Sequence, residues 1–99
     1  MLPRIEVRER QTPLELSVDA GEDSWLVSWN PDATSITIAR AARLYVVSGG
    51  RRRKIDLSPG DLARGAYLHP YLPDDATFRL EIDERTGHVA AESIRLVHR

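Results

Sequence analysis

Thr77-Phe78-Arg79-Leu80-Glu81-Ile82-Asp83 sets each apolar side chain two residues from the next, with a polar one between. Successive side chains of an extended backbone point to opposite faces, so this stretch reads as a half-buried strand. The same period recurs upstream. Leu14, Leu16 and Val18 alternate with Glu15, Ser17 and Asp19. Trp25, Val27 and Trp29 form another apolar face, and Ile36 and Ile38 a further one. Trp29 and Phe78 are the expected aromatic core. Ile5 and Val7 suggest a short leading strand, set off by Pro13, which a central strand does not tolerate.

Turn chemistry divides these strands. Ala42–Val47 and 53–57 flank Ser48-Gly49-Gly50-Arg51-Arg52, where paired glycines supply the positive φ of a tight hairpin. Ile82 and Val89 flank a weaker signal, Thr86-Gly87. Asn30-Pro31-Asp32 and Ser58-Pro59-Gly60-Asp61 are turns by composition. Asp61 to Ala66 has room for one turn of helix with Asp61 as N-cap. The last strand, His88 to His98, changes phase: Val89 and Ala91 lie on one register, Ile94 and Leu96 on the other. A β-bulge near Glu92 would reconcile them; burial on both faces at the strand's end is the alternative. Short strands with turn signals every eight to twelve residues predict an all-β, two-sheet antiparallel sandwich. At 99 residues the chain is expected to be a single domain, 1–99, with 1–10 a leading strand or extension.

Composition narrows the function classes. Cysteine is absent, which removes disulfides, thiol nucleophiles and zinc-thiolate sites together. No apolar stretch approaches the length needed to cross a bilayer as a helix, and charge arrives too early for a signal peptide. The compartment expected is extracytoplasmic if the domain comes from an exported or membrane-anchored parent, and cytoplasmic otherwise. Net charge is −1, yet no acidic residue occurs between Asp32 and Asp56, where Arg40, Arg43, Arg51, Arg52, Arg53 and Lys54 accumulate. Arginine outnumbers lysine thirteen to one. A GC-rich genome accounts for that ratio; selection for bidentate anion contacts is the sharper alternative.

Trp25-Leu26-Val27-Ser28-Trp29-Asn30-Pro31 resembles the second strand of fibronectin type III domains, an alternating strand with a core tryptophan that runs into a proline turn. Leu57-Ser58-Pro59-Gly60 and Leu62-Ala63-Arg64-Gly65-Ala66-Tyr67 resemble the leucine-turn-glycine-tyrosine segment of the tyrosine corner in such sandwiches, and Phe78-Arg79-Leu80-Glu81-Ile82 looks like the strand that follows. The run from Leu14 to Ile82 is similar to uncharacterised bacterial domains of this immunoglobulin-like kind, often appended to membrane-anchored proteins. The resemblance implies a structural or adhesive module.

No arrangement for catalysis stands out. His69, His88 and His98 are far apart without metal-ligand spacing and are expected at the surface or at edges. The pairs Asp74-Asp75 and Asp83-Glu84 are adjacent, so on a strand their members diverge. No serine sits in a nucleophile elbow. No cofactor and no metal site is expected, and the chain is not expected to be an enzyme. Tyr67, His69 and Tyr71 alternate on one face, which either covers the core's end or, if exposed, stacks on sugar rings or bases. The candidate anion-binding residues are Arg40, Arg43, Arg51, Arg52, Arg53 and Lys54, beside a glycine turn whose amides suit an anion. Against this stands a solvated hairpin tip whose Arg53 and Lys54 guard an edge strand. The expected function is a non-catalytic interaction or spacer module of a larger bacterial protein, its protein partner unspecified. The alternative is weak binding of a polyanion, nucleic acid or acidic polysaccharide, through the region from Arg40 to Lys54.

Overall fold

The computed structural model describes residues 4–8, 14–70 and 74–98. In chain order the elements are β1 (Arg4–Arg8), β2 (Ser17–Ala20), β3 (Ser24–Ser28), α1 (Thr34–Thr37), β4 (Ala39–Ser48), β5 (Arg51–Leu57), α2 (Pro59–Arg64), β6 (Ala66–Pro70), β7 (Ala76–Glu84) and β8 (Val89–His98). They form a five-stranded sheet of order β1-β8-β7-β4-β5 and a three-stranded sheet of order β2-β3-β6. Every pairing is antiparallel. The expected all-β, two-sheet architecture is therefore the observed one.

Alternation places the core. Phe78, Leu80 and Ile82 of β7, Leu44 and Val46 of β4, and Ile94 and Leu96 of β8 point inward from the larger sheet. Val18, Trp25 and Val27 face them from the smaller one, and all belong to one apolar cluster. Phe78 is the hub. Its ring meets Trp25 at 6.5 Å and His69 of β6 at 6.0 Å, edge-on. Trp29 lies just beyond β3, 4% exposed, and its indole N–H donates to the Leu62 carbonyl of α2 at 3.1 Å. That bond ties the end of the smaller sheet to the helix between β5 and β6.

The β4–β5 hairpin closes on Gly49 and Gly50 at φ of 57° and 76°, with Ser48 opposite Arg51. Two successive left-handed residues are what a two-residue turn between twisted strands requires. Gly65, at φ 72°, ends α2 and has a second reason to be glycine. A Cβ there would stand 3.1 Å from both the Trp29 carbonyl and the Pro31 ring.

Three local expectations are corrected. The segment carrying Ile36 and Ile38 is not a strand: Thr34–Thr37 is one helical turn, with Ile36 and Ser35 buried. An apolar pair at i, i+2 is too short a signal to fix a period. This segment must also carry the chain from one sheet to the other, starting from an Asn30 turn in which Asn30 Oδ1 accepts from the Asp32 N–H. In α2 the N-cap is Ser58, not Asp61. Pro59 follows it at the position where a missing N–H costs nothing. Asp61 sits at N3 and accepts from the Ser58 N–H, closing a capping box.

The third correction concerns β8. Its register against β7 runs unbroken from Val89 to Leu96, so there is no bulge near Glu92. The inward face is Ala90, Glu92, Ile94 and Leu96; on the other face Ser93 is buried as well, so the strand is covered on both sides there, while Val89 is 50% exposed. The apparent change of phase arose because a carboxylate occupies an inward position. It is held there by accepting the backbone N–H of Leu16. Glu15, immediately before, adopts φ 54°, a conformation that side chains seldom take. Its carboxylate accepts from Asn30 Nδ2 at 2.8 Å, and the Asn30 N–H donates to Leu14 at the same distance. The real register shift lies in β4, between Ala39 and Ala41.

Candidate functional site

Pleating splits the basic run. Along β5, Arg51, Arg53, Ile55 and Leu57 fall opposite Ser48, Val46, Leu44 and Ala42, which places them on the core side of the edge strand. Arg51 and Arg53 are nevertheless exposed, on a strand that lies at the sheet's edge. Arg52, Lys54 and Asp56 project from the outer face, opposite Val47, Tyr45 and Arg43. The six candidate cations thus never form one surface.

Arg43 is already committed. Its guanidinium donates to both carboxylate oxygens of Asp83, at 2.9 and 3.1 Å, and to Glu81 at 3.1 Å. These bonds hold the Asp83 carboxyl below its ordinary range and push the guanidinium further up. For Glu81, desolvation pulls upward, but hydrogen bonds from Arg79 and Arg43 outweigh it and the carboxyl also ends low. Arg40 is exposed at the β4 bulge and away from the hairpin tip. The glycine turn is crowded by an anion of the chain's own. An Asp74 carboxylate oxygen lies 2.8 Å from where a Cβ on Gly49 would stand.

The sheet assembles a different set. Register places Arg52, Val47, Thr77 and Arg95 in one cross-strand row and Lys54, Tyr45, Arg79 and Ser93 in the next. Four cations from three strands therefore share the outer face at the end near the β4–β5 turn. Strand spacing puts Arg52 and Arg95 about 14 Å apart at the backbone. Between them lie Val47, 41% exposed, and the half-buried Tyr45, on whose ring the Arg52 guanidinium stacks at 4.6 Å. Sequence reasoning missed Arg79 and Arg95. Their alternation showed that they point outward, but only the strand order β8-β7-β4-β5 brings them beside Arg52 and Lys54.

The histidine expectation needs one correction. His69 is in the core, 2% exposed, between Tyr67 and Phe78. Its Nδ1 lies 2.8 Å from the Pro70 carbonyl, and its Nε2 has no hydrogen-bond partner among the described residues. The alternating face of Tyr67 and His69 therefore covers the core; Tyr71, like Pro13, lies outside the described residues. His88 is exposed. Of the carboxylate pairs, Asp83 is bound to Arg43, while Glu84 accepts from the Ser35 hydroxyl at 2.6 Å. Among the described residues, no group of three or more histidines and acids is arranged to hold a metal ion. Among the described residues, no helix is long and apolar enough to cross a membrane.

No family model, curated protein or solved structure matches this chain.

Proposed function

We propose that this chain is a non-catalytic immunoglobulin-like sandwich of the fibronectin type III kind, acting as an interaction module of a larger bacterial protein through the outer face of its five-stranded sheet. Strand order supports the first part. Lettered from β2, the sheets read A-B-E and G-F-C-C′, the arrangement of immunoglobulin-like sandwiches, with β1 added beyond G. The quoted tyrosine does not support it: Tyr67 lies in the E-like strand, and the F-like strand carries Phe78. A fold of this kind hosts many functions, so the functional part rests on the surface.

The observation that carries it is an apolar and aromatic centre, Val47 and Tyr45, ringed by Arg52, Lys54, Arg79 and Arg95. Aromatic and arginine side chains around a small apolar centre are the composition of protein interfaces. The complementary partner is an acidic protein surface. The second reading, a nucleic acid or acidic polysaccharide, draws on the same charges without needing Val47.

Heparin retention over a salt series tests the face. The expected result is weak retention at low salt that R52Q/K54Q/R95Q removes and R51Q/R53Q leaves largely in place. Equal losses in the two variants would reject the face in favour of a diffuse basic tip. Tight binding at physiological salt would promote the polyanion reading, because phosphate or sulfate contacts dominate such affinity.

A further inference from the structure

The end of the sandwich opposite the glycine turn is built from α1, α2 and the β7–β8 turn, and it holds a cleft of about 450 Å³. That volume is within the range of small-molecule sites. Ile36, Leu57 and Leu62 form its floor, each buried from bulk solvent, with Pro31 and Pro59 beside them. Two guanidinium groups, those of Arg40 and Arg85, stand among the lining residues.

Backbone geometry puts both there. The register shift opposite Asp83 and Glu84 leaves Arg40 as the extra residue of a bulge, a feature that re-aims a side chain. The Arg85 N–H donates to the Ile38 carbonyl at 3.0 Å, holding the β7–β8 turn against the start of β4. Among the described residues, neither arginine has an ion-pair partner. The acids closest in sequence are engaged elsewhere. Asp83 feels the charge of Arg40, but both its oxygens are bonded to Arg43. Glu84 accepts from Ser35 and Thr86. Among the described residues, the charges lining the cleft are these two guanidinium groups beside an apolar floor, which fits a ligand of matching polarity.

We propose that this cleft binds a small amphipathic carboxylic acid, its aliphatic body on Ile36, Leu57 and Leu62 and its carboxylate met by Arg40 and Arg85. Guanidinium pairs with carboxylate through two parallel hydrogen bonds, which gives orientation as well as affinity. The apolar floor discriminates against a polyanion, whose charges would lose their water over it. This site is at the opposite end of the molecule from the cationic rows, so it stands independently of the interaction surface proposed above.

The test is methyl chemical-shift titration of the whole chain with octanoate, 1-octanol and octylammonium. Octanoate is expected to give saturable shifts centred on Ile36, Leu57 and Leu62, with octanol at least about fivefold weaker and octylammonium weaker still. R40Q/R85Q, both changes on exposed side chains, should reduce octanoate to the affinity of octanol. Filling the cleft with A63F should weaken octanoate and octanol alike. Equal binding of octanol and octanoate, octanoate binding unchanged in R40Q/R85Q, or shifts centred on the exposed Leu26 and Leu68 instead would each overturn the proposal.

Discussion

The outer face of the larger sheet has two halves made of similar residues with opposite behaviour. In the half towards α1, Arg43 lies between Glu81 and Asp83, and Arg79 reaches the second oxygen of Glu81 at 3.0 Å. Charge is neutralised there within the sheet. In the half towards the glycine turn, Lys54 and Arg79 of the row through Tyr45 still reach Asp56 and Glu81 in the next row, but Arg52 and Arg95 flank Val47 in a row that carries no acid. A charged strand face is therefore not one kind of surface. Whether a cation contributes to folding or to recognition depends on what the neighbouring strand sets opposite it.

Both halves stand on one layer, and removing it gives the largest effect. Phe78→Ala, in a fully buried side chain at the meeting of the two sheets, should cost ~3–5 kcal/mol in denaturant unfolding. It should weaken the two halves equally, since the whole sheet depends on it. A small loss would show that the sheets can close over the gap.

Glu92→Ala is next. It strands the buried N–H of Leu16 and should cost ~1–3 kcal/mol, a penalty typical of an unsatisfied buried donor. A neutral outcome would mean that water reaches Leu16 and that Glu92 is dispensable as a brace between β8 and the segment before β2.

Arg43→Gln separates the halves. It should lower the melting temperature by a few degrees without altering heparin retention, because Arg43 is spent on Asp83 and Glu81. The sign of its pH dependence follows from the carboxyls. Both titrate lower in the folded chain than their ordinary values of 3.8 for Asp83 and 4.5 for Glu81. Their contribution is present above those values and is lost as pH falls through the lower folded ones. The wild type should therefore lose its advantage over Arg43→Gln as the pH drops below about 4, read from melting curves across pH. An advantage that persists in acid would assign the loss to packing of the arginine stem.

The smallest effect on stability belongs to the other half. R52Q/K54Q/R95Q should stay within about 0.5 kcal/mol of the wild type, as exposed substitutions do, while its heparin retention falls. A large destabilisation would show that the Arg52 stack on Tyr45 matters to the fold and would dissolve the contrast between the halves.

Most of the fold was legible because alternation is a local signal. Phe78, Trp29 and the Gly49-Gly50 turn were each readable from their neighbours. Errors arose where a segment was short or where an inward position carried charge. Ile36 and Ile38 mimic a strand over three residues, and Glu92 imitates a phase change because hydrophobicity alone cannot see its bond to the Leu16 N–H. His69 was misplaced for a similar reason: an ionisable ring reads as surface unless its packing against Phe78 is known.

The candidate site was the least legible part. The run from Arg51 to Lys54 is conspicuous in one dimension, yet the pleat sends its members to opposite faces. Arg79 and Arg95 carry no mark that joins them to it, and Arg40 and Arg85 are 45 positions apart before a bulge and a turn bring both to one cleft. The two-residue period by itself determined that this chain makes strands and which side of each is wet, since that follows from the direction of successive Cβ atoms. Which wet side chains share a surface was decided only by strand order and register, because hydrogen bonding between strands joins residues with no regard to their distance along the chain.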